Sequence, residues 1–312
     1  DAEHLGWLDA VNTGSPISEM RKDAAAGAAL IDYFAGIVRE ARGETIPMGP
    51  SALNYSLREP LGVVGRIVAY NHPLMFLASR LAAPVAAGNT VVLKAPTQAP
   101  LSGYRLAELV SDIFPPGVVN ILSGGIECGA AIVSHPRVKK VTLIGSTATG
   151  KAIMRGAAEK IMPTQLELGG KNPLILCEDA DIDRAIDGAI AGMNFVWAGQ
   201  SCGSTSRCFV HRSVYERVLN EFSRRVPQRH RCGDPLDPAT TAGSLISKAQ
   251  FDKVMGFIED TKADGARLIC GGGRPSEPSL QAGWFVEPTV FADVNPGMRL
   301  FREEVFGPVL AV

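Results

Sequence analysis

The chain has no long apolar run: no stretch approaches the roughly 20 residues that a membrane-spanning helix needs, and the opening residues do not form a secretory signal. It has no C-x-x-C pair. Its six cysteines (Cys128, Cys177, Cys202, Cys208, Cys232 and Cys270) show no zinc spacing against the five histidines, so no metal site is expected. A disulfide framework does not suit a chain this large, and the thiols read as free in a reducing compartment, the cytoplasm. Net charge is nearly absent, at −1, which gives no reason to propose nucleic acid or an anionic membrane as partner. Aromatic residues are few, at 6%. What is present is 46% hydrophobic and 20% charged, with 33 glycines in 312 residues. That is material for one large or two ordinary domains of an α/β enzyme with many tight turns.

The first helix signal is Ser15 as cap with Pro16 in the first turn, opening an alanine-rich run that Gly43 stops. Residues 45–60, with prolines near both ends, read as a hairpin arm. Then strands and helices alternate. Strands are expected at 63–70, 90–94, 118–122 and 140–144, and helices at 74–87, 101–113, 129–134 and 148–160. Apolar strands alternating with helices predict a parallel sheet covered on both faces. A second α/β block follows, with strands at 173–177, 207–210, 266–270 and 288–292 and helices at 182–198, 213–225 and 246–263. The sequence stops inside an apolar, strand-like run, so it reads as a fragment.

Ligands of parallel sheets bind beyond the carboxyl ends of the strands, and informative residues stand there. Asn71, after the first strand of the alternation, can donate to a developing oxyanion or simply form a turn before Pro73. Lys94 ends the second and can reach a ribose or phosphate, or remain a solvated lysine. Small residues at Gly145-Ser146-Thr147 open a helix whose first amides could meet a phosphate, although this is not a P-loop. Gly124-Gly125-Ile126-Glu127-Cys128-Gly129 is not a G-x-G-x-x-G fingerprint. In Leu166-Glu167-Leu168-Gly169-Gly170-Lys171 a carboxylate sits in an apolar segment, where desolvation would make it a base competent near neutrality; the plain alternative is a salt bridge to Lys171 or an arginine. Gly199-Gln200-Ser201-Cys202-Gly203 sets a thiol on a turn of small residues, either a nucleophile reached from a cleft or an ordinary buried cysteine.

With Glu167-Leu168-Gly169-Gly170-Lys171 and Gly199-Gln200-Ser201-Cys202 in this order, the sequence resembles the aldehyde dehydrogenase superfamily. Asn71-His72-Pro73, the strand ending at Lys94, the Gly145-Ser146-Thr147 turn and Glu303-Glu304-Val305-Phe306-Gly307-Pro308 agree with it. The resemblance implies an α/β fold, with a coenzyme-binding domain at 1–168, an oligomerisation arm around 44–61, and a catalytic domain at 169–312 that is incomplete. It implies that Cys202 attacks an aldehyde carbon, that Asn71 and the Cys202 N–H hold the oxyanion, and that Glu167 activates the water that hydrolyses the thioacyl enzyme. It places Lys94 and Thr97 at the adenosine ribose, Ser146 at the pyrophosphate, Glu304 at the nicotinamide ribose and Phe306 near the ring. Tyr70, Gly145, Leu168 and Gly169 complete the cofactor set, and His72, Met75, Ser79, Ser201 and Gly203 the substrate tunnel.

Glu167 argues for hydrolysis to a free acid over transfer to coenzyme A. Many NAD-preferring members carry a glutamate where this chain has Thr97; a neutral hydroxyl does not repel a 2′-phosphate, so NADP or dual use is expected beside NAD. The partners implied are a small-molecule aldehyde and other copies of the chain, as a homodimer or homotetramer. The competing class is a non-catalytic nucleotide-binding or structural protein retaining the fold. A cysteine hydrolase is disfavoured because no histidine lies in a motif that could pair with Cys202. Cys177, Cys208 and Cys270 are expected in the core, and Cys128 close to the cofactor loop. Cys232 is expected in a solvated turn after the basic run Arg229-His230-Arg231. Asp179 to Asp183 reads as a helix N-terminus.

Overall fold

The computed structural model describes residues 1–312. In chain order the elements are α1 (Ala2–Thr13), α2 (Ile17–Ile37), β1 (Thr45–Pro47), β2 (Leu53–Tyr55), β3 (Val63–Ile67), α3 (Pro73–Ala86), β4 (Thr90–Lys94), α4 (Leu101–Ser111), β5 (Val119–Leu122), α5 (Ile126–Ser134), β6 (Val138–Gly145), α6 (Thr147–Ala158) and β7 (Thr164–Leu168). There follow β8 (Pro173–Leu176), α7 (Ile182–Gly192), β9 (Arg207–Val210), α8 (Tyr215–Arg229), α9 (Lys248–Ala263), β10 (Arg267–Cys270), β11 (Thr289–Ala292), α10 (Arg299–Arg302) and β12 (Val309–Ala311). The chain divides into two compact units, residues 1–6 with 21–168, and residues 7–20 with 169–312. Residues 7–20 thus group with the second unit, whereas the sequence reading had put all of 1–168 together.

The first unit is built on a five-stranded sheet in the order β5-β4-β3-β6-β7, every neighbouring pair parallel. Apolar β-branched strands explain this: β3 and β4 bury side chains on both faces. One face carries Val64, Val68, Val91 and Leu93 under Leu77 and Leu81 of α3 and Leu106 of α4. The other carries Val141 and Leu143 under Ile132 of α5 and Ile153 of α6. The order reverses between β3 and β6, the switch point at which such sheets take ligands. The 45–60 arm is an antiparallel hairpin, β1 on β2, with all six of its strand residues exposed.

The second unit holds a mixed sheet in the order β10-β11-β12-β9-β8, with only β10 antiparallel to its neighbour. Strand β12 joins β11 on one side and β9 on the other. Ile186 and Ile190 of α7 and Phe222 of α8 fill one core cluster, and Val254, Phe257 and Ile258 of α9 fill another.

Several boundaries differ from the sequence reading, each for a local reason. Helix α1 carries no capping signal and went unread. Helix α2 begins one residue past Pro16, whose carbonyl accepts from Glu19 and Met20. Helix α7 stops at Gly192 because Asn194 and Ala198 take left-handed conformations, at φ 57° and 51°. Asp181 caps α7 by accepting from the Arg184 N–H at 3.3 Å, as an acidic N-terminus should.

Candidate active site

The thiol turn is held from three sides within the second unit. Gly199 has φ +65°, and a Cβ there would overlap the Gly307 carbonyl, so only glycine fits. Gln200 is 3% exposed and anchors the turn. Its Nε2 donates to the carbonyls of Trp197 and Ser244, each at 3.3 Å, and its Oε1 accepts from the Ile246 N–H at 3.1 Å. Asn172 Nδ2 donates to the Cys202 carbonyl at 2.7 Å and to that of Ser204 at 3.1 Å. Ser201 is half-buried, its Oγ accepting from the Gly203 N–H. The clamped turn leaves Cys202 and Gly203 exposed.

The other thiols separate cleanly. Burial alone pushes Cys208 up to about 12. Cys270 is also pushed up to about 12, chiefly by burial. The expectation for Cys232 is corrected: it is half-buried, and burial, with Glu287 and Glu277, raises its thiol to about 12, outweighing the basic run before it. Cys177 is corrected too, since it is exposed just past edge strand β8 rather than in the core. Cys128, on α5, is half-buried.

Gly169 and Gly170 receive the Glu304 carboxylate. The Gly170 N–H donates to Glu304 Oε1 at 3.2 Å, and a Cβ on Gly169 would collide with that carboxylate. Burial raises the Glu304 carboxyl above its ordinary range, against the pull of the Gly170 N–H, Lys253 and Lys171. Lys171 is pulled down to about 8, by burial first and then by Arg207, with Glu304 opposing; its Nζ has no hydrogen-bond partner. Phe306 takes φ +54°, and Gln250 fixes that backbone by donating to the Val305 and Phe306 carbonyls at 3.2 and 2.7 Å.

In the first unit Lys94 is buried, its Nζ donating to the Ala95 carbonyl at 3.2 Å and to Thr97 Oγ1 at 3.4 Å. Thr97 is exposed and donates to the Gly124 carbonyl at 2.9 Å. Burial holds the Lys94 ammonium below the usual lysine range. Both residues line a cavity of about 440 Å³ with Ile67, Ile126, Val133 and Ile153. Its size and apolar walls suit a flat ring, and Lys94 and Thr97 add polar groups to the wall, so the residues present fit the adenosine half of a dinucleotide. Gly145 ends β6, and Ser146 caps α6 by accepting from the Thr149 N–H at 3.2 Å. Tyr70 is half-buried after β3.

Asn71 is 5% exposed and sits between β3 and α3. His72 does not present a free ring. It is buried, and Nδ1 donates to Asp23 Oδ2 of α2 at 2.6 Å. On α3 Met75 is half-buried, and Ser79 is buried with Oγ donating to the Phe76 carbonyl. Glu167 is also corrected. Leu166 and Leu168 pack inward from β7, and the alternation puts Glu167 on the exposed side, not in an apolar environment. It pairs with no basic side chain; Gln165 Nε2 donates to it at 3.4 Å. Sequence reasoning missed Asn172, Gln250 and Asp23, of which only Asn172, inside the Gly170-Lys171-Asn172-Pro173 run, left a local signal.

The structure defines a two-unit α/β protein, with a nucleotide-sized cavity on one parallel sheet and a clamped, exposed thiol on a separate mixed sheet. The chain belongs to the aldehyde dehydrogenase family, which matches it over residues 1–312. It is 52% identical over 318 residues to the aldehyde dehydrogenase tropH of Talaromyces stipitatus, covering 100% of this chain and 62% of that protein. A betaine aldehyde dehydrogenase of Cereibacter sphaeroides is 43% identical over 312 residues, 99% of this chain and 63% of its own length. A Bacillus cereus aldehyde dehydrogenase solved as an NAD+ complex superposes with a TM-score of 0.94 at 42% identity, covering 99% of this chain and 62% of that one. The chain thus spans under two thirds of the relatives it matches. No helix is long and apolar enough to cross a membrane.

Proposed function

We propose that the protein oxidises an aldehyde to a carboxylic acid with NAD or NADP. The observation that carries this reading is the exposed Cys202 sulfur on a turn clamped by Gly199, Gln200 and Asn172, in a chain matched to the family over residues 1–312. The Cys202 thiolate adds to the carbonyl carbon, and the oxyanion takes donors from Asn71 and the Cys202 N–H. Bound NAD or NADP supplies hydride acceptance. Glu167 takes a proton from the water that releases the acid from the thioacyl cysteine. Exposure of Glu167 leaves water a path to it. Lys94 and Thr97 would hold the adenosine ribose, Ser146 the pyrophosphate and Glu304 the nicotinamide ribose, with Phe306 beside the ring.

The Thr97 hydroxyl, in place of an acid, supports use of NADP as well as NAD. Six free cysteines support a reducing, cytoplasmic setting. The exposed β1–β2 hairpin supports assembly of copies into a dimer or tetramer. The test is aldehyde-dependent formation of NADH or NADPH by the full-length chain. Cys202→Ser should abolish it, and Glu167→Gln should leave one equivalent of reduced cofactor per site without turnover. A Cys202→Ser protein that still turns over aldehyde refutes the reading.

A further inference from the structure

Asn71 stands in the link between β3 and α3, residues 68–72, and contacts pin that link at both ends. At the strand end the Val68 N–H donates to the Lys94 carbonyl at 3.3 Å. At the helix end the His72 carbonyl accepts from the Phe76 N–H at 3.0 Å, and Pro73, which has no N–H to give, opens α3. The His72 and Phe76 rings meet edge to face, with centroids 5.4 Å apart. These contacts tie His72 to its own helix. They leave the helix itself to be placed.

Placement comes from α2. Asp23 and Gly27 are four residues apart, on one face of that helix. A Cβ on Gly27 would stand 3.1 Å from the Ala78 Cβ and 3.6 Å from the Met75 Cα, so the missing side chain lets α2 lie close on α3. One turn earlier Asp23 reaches the residue just before α3, and its Oδ2 accepts from His72 Nδ1 at 2.6 Å. Ala24, next to Asp23, joins Leu74 and Leu77 in one apolar cluster. The pair is buried, with Asp23 6% and His72 9% exposed. Apolar side chains would join the two helices without the desolvation that a carboxylate suffers there. What the pair supplies instead is direction. A carboxylate oxygen this close fixes the ring's proton on Nδ1 and the ring's orientation. The residue so held is the covalent neighbour of Asn71.

We propose that Asp23 is a positioning residue: by gripping the His72 ring it sets the backbone at Asn71, and so the direction in which the Asn71 carboxamide donates. This rests on the proposed function, in which Asn71 holds the oxyanion. A donor to a developing oxyanion works only where it is already aimed, and a displacement of about 1 Å can cost about a hundredfold in rate. In this role Asp23 need touch neither substrate nor cofactor, because it acts through His72.

The test is a double-mutant cycle on the full-length chain, with propanal, hexanal and benzaldehyde as substrates and NAD or NADP as acceptor. Each form is assayed below its own measured Tm. Asn71→Ala removes the donor and should lower kcat/KM about a hundred- to a thousandfold. Asp23→Asn keeps the size of the side chain and one oxygen. It should lower kcat/KM for the aldehyde about ten- to a hundredfold, with the KM for the dinucleotide unchanged. Asp23→Ala, which leaves no acceptor, should lower it at least as far; if that variant fails to fold, Asp23→Asn still decides. Added to Asn71→Ala, Asp23→Asn should cost no more than about a further twofold, because nothing is left to aim. Equal losses from Asp23→Asn in both backgrounds would mark a merely structural contact, and kcat/KM unchanged in both Asp23 variants an idle one; either result overturns the assignment. Failure of the proposed function looks different. Asn71→Ala would then oxidise aldehyde as fast as the wild type, or no form would oxidise any aldehyde, and the assignment would fall with it.

Discussion

Lys171 and Glu304 face each other across a partly buried site, and both are pushed toward their neutral forms, the lysine down to about 8 and the carboxyl up. Burial therefore outweighs their mutual attraction, with Arg207 adding to the cost on the lysine. The ammonium should destabilise the folded chain wherever it stays charged. Its folded pKa of about 8 lies below the ordinary 10.5, so between those values the unfolded chain binds the extra proton and unfolding becomes harder as pH rises. Below 8 both states are protonated and the whole penalty is present. A shift of that size corresponds to about 3 kcal/mol. Lys171→Met should thus stabilise the protein at neutral pH, by about 1–3 kcal/mol, and its advantage should shrink to nothing by pH 10.5. Urea unfolding of both proteins across this range measures it. Only the difference between variant and wild type isolates the lysine. Cys208, Cys232 and Cys270, raised to about 12 from 9.0, hold protons in the folded state and weaken both proteins above pH 9.0. A variant less stable than wild type at neutral pH would refute the reasoning and show a net favourable ion pair.

Gly199→Ala meets both the left-handed φ and the Gly307 carbonyl; it should cost about 2 kcal/mol or more in urea unfolding and, under the proposed mechanism, most of the turnover. Asp23→Asn weakens the buried partner of His72; the expected loss is about 1–3 kcal/mol, read as a lower Tm, and an unchanged Tm would show the contact to be idle. Brief iodoacetamide treatment of the native protein should label Cys202 and Cys177 and spare Cys208, Cys232 and Cys270, as mass spectrometry of the digest would report.

The parallel sheet was legible because β3, β4 and β6 are rich in Val, Leu and Ile that bury on both faces, and each is followed by a helix signal or a glycine. Cys202 was legible because Gly199 and Gln200, which the fold requires for their contacts with Gly307, Ser244 and Ile246, stand within three residues of it in sequence. Strand β7 was harder: its five residues alternate, and reading them as a uniform apolar run buried Glu167, whereas a period of two would have set it outside with Gln165. The partner of His72 lies 49 residues upstream, and no local pattern announces it. The half-burial of Cys232 was not legible, because the basic run before it suggests a solvated turn, while Glu287 and Glu277, which act on it in space, lie far along the chain.

Strand β12 lies third of five in its sheet, between β11, which shortly precedes it, and β9, which comes from far earlier in the chain. Until residues 309–311 leave the ribosome, the β8–β9 ribbon and the β10–β11 pair have nothing to zip them together, and each shows a raw flank to any passing strand. A nascent chain stalled short of Val309 would be a sticky intermediate, and its fate would fall to chaperones rather than to its own packing.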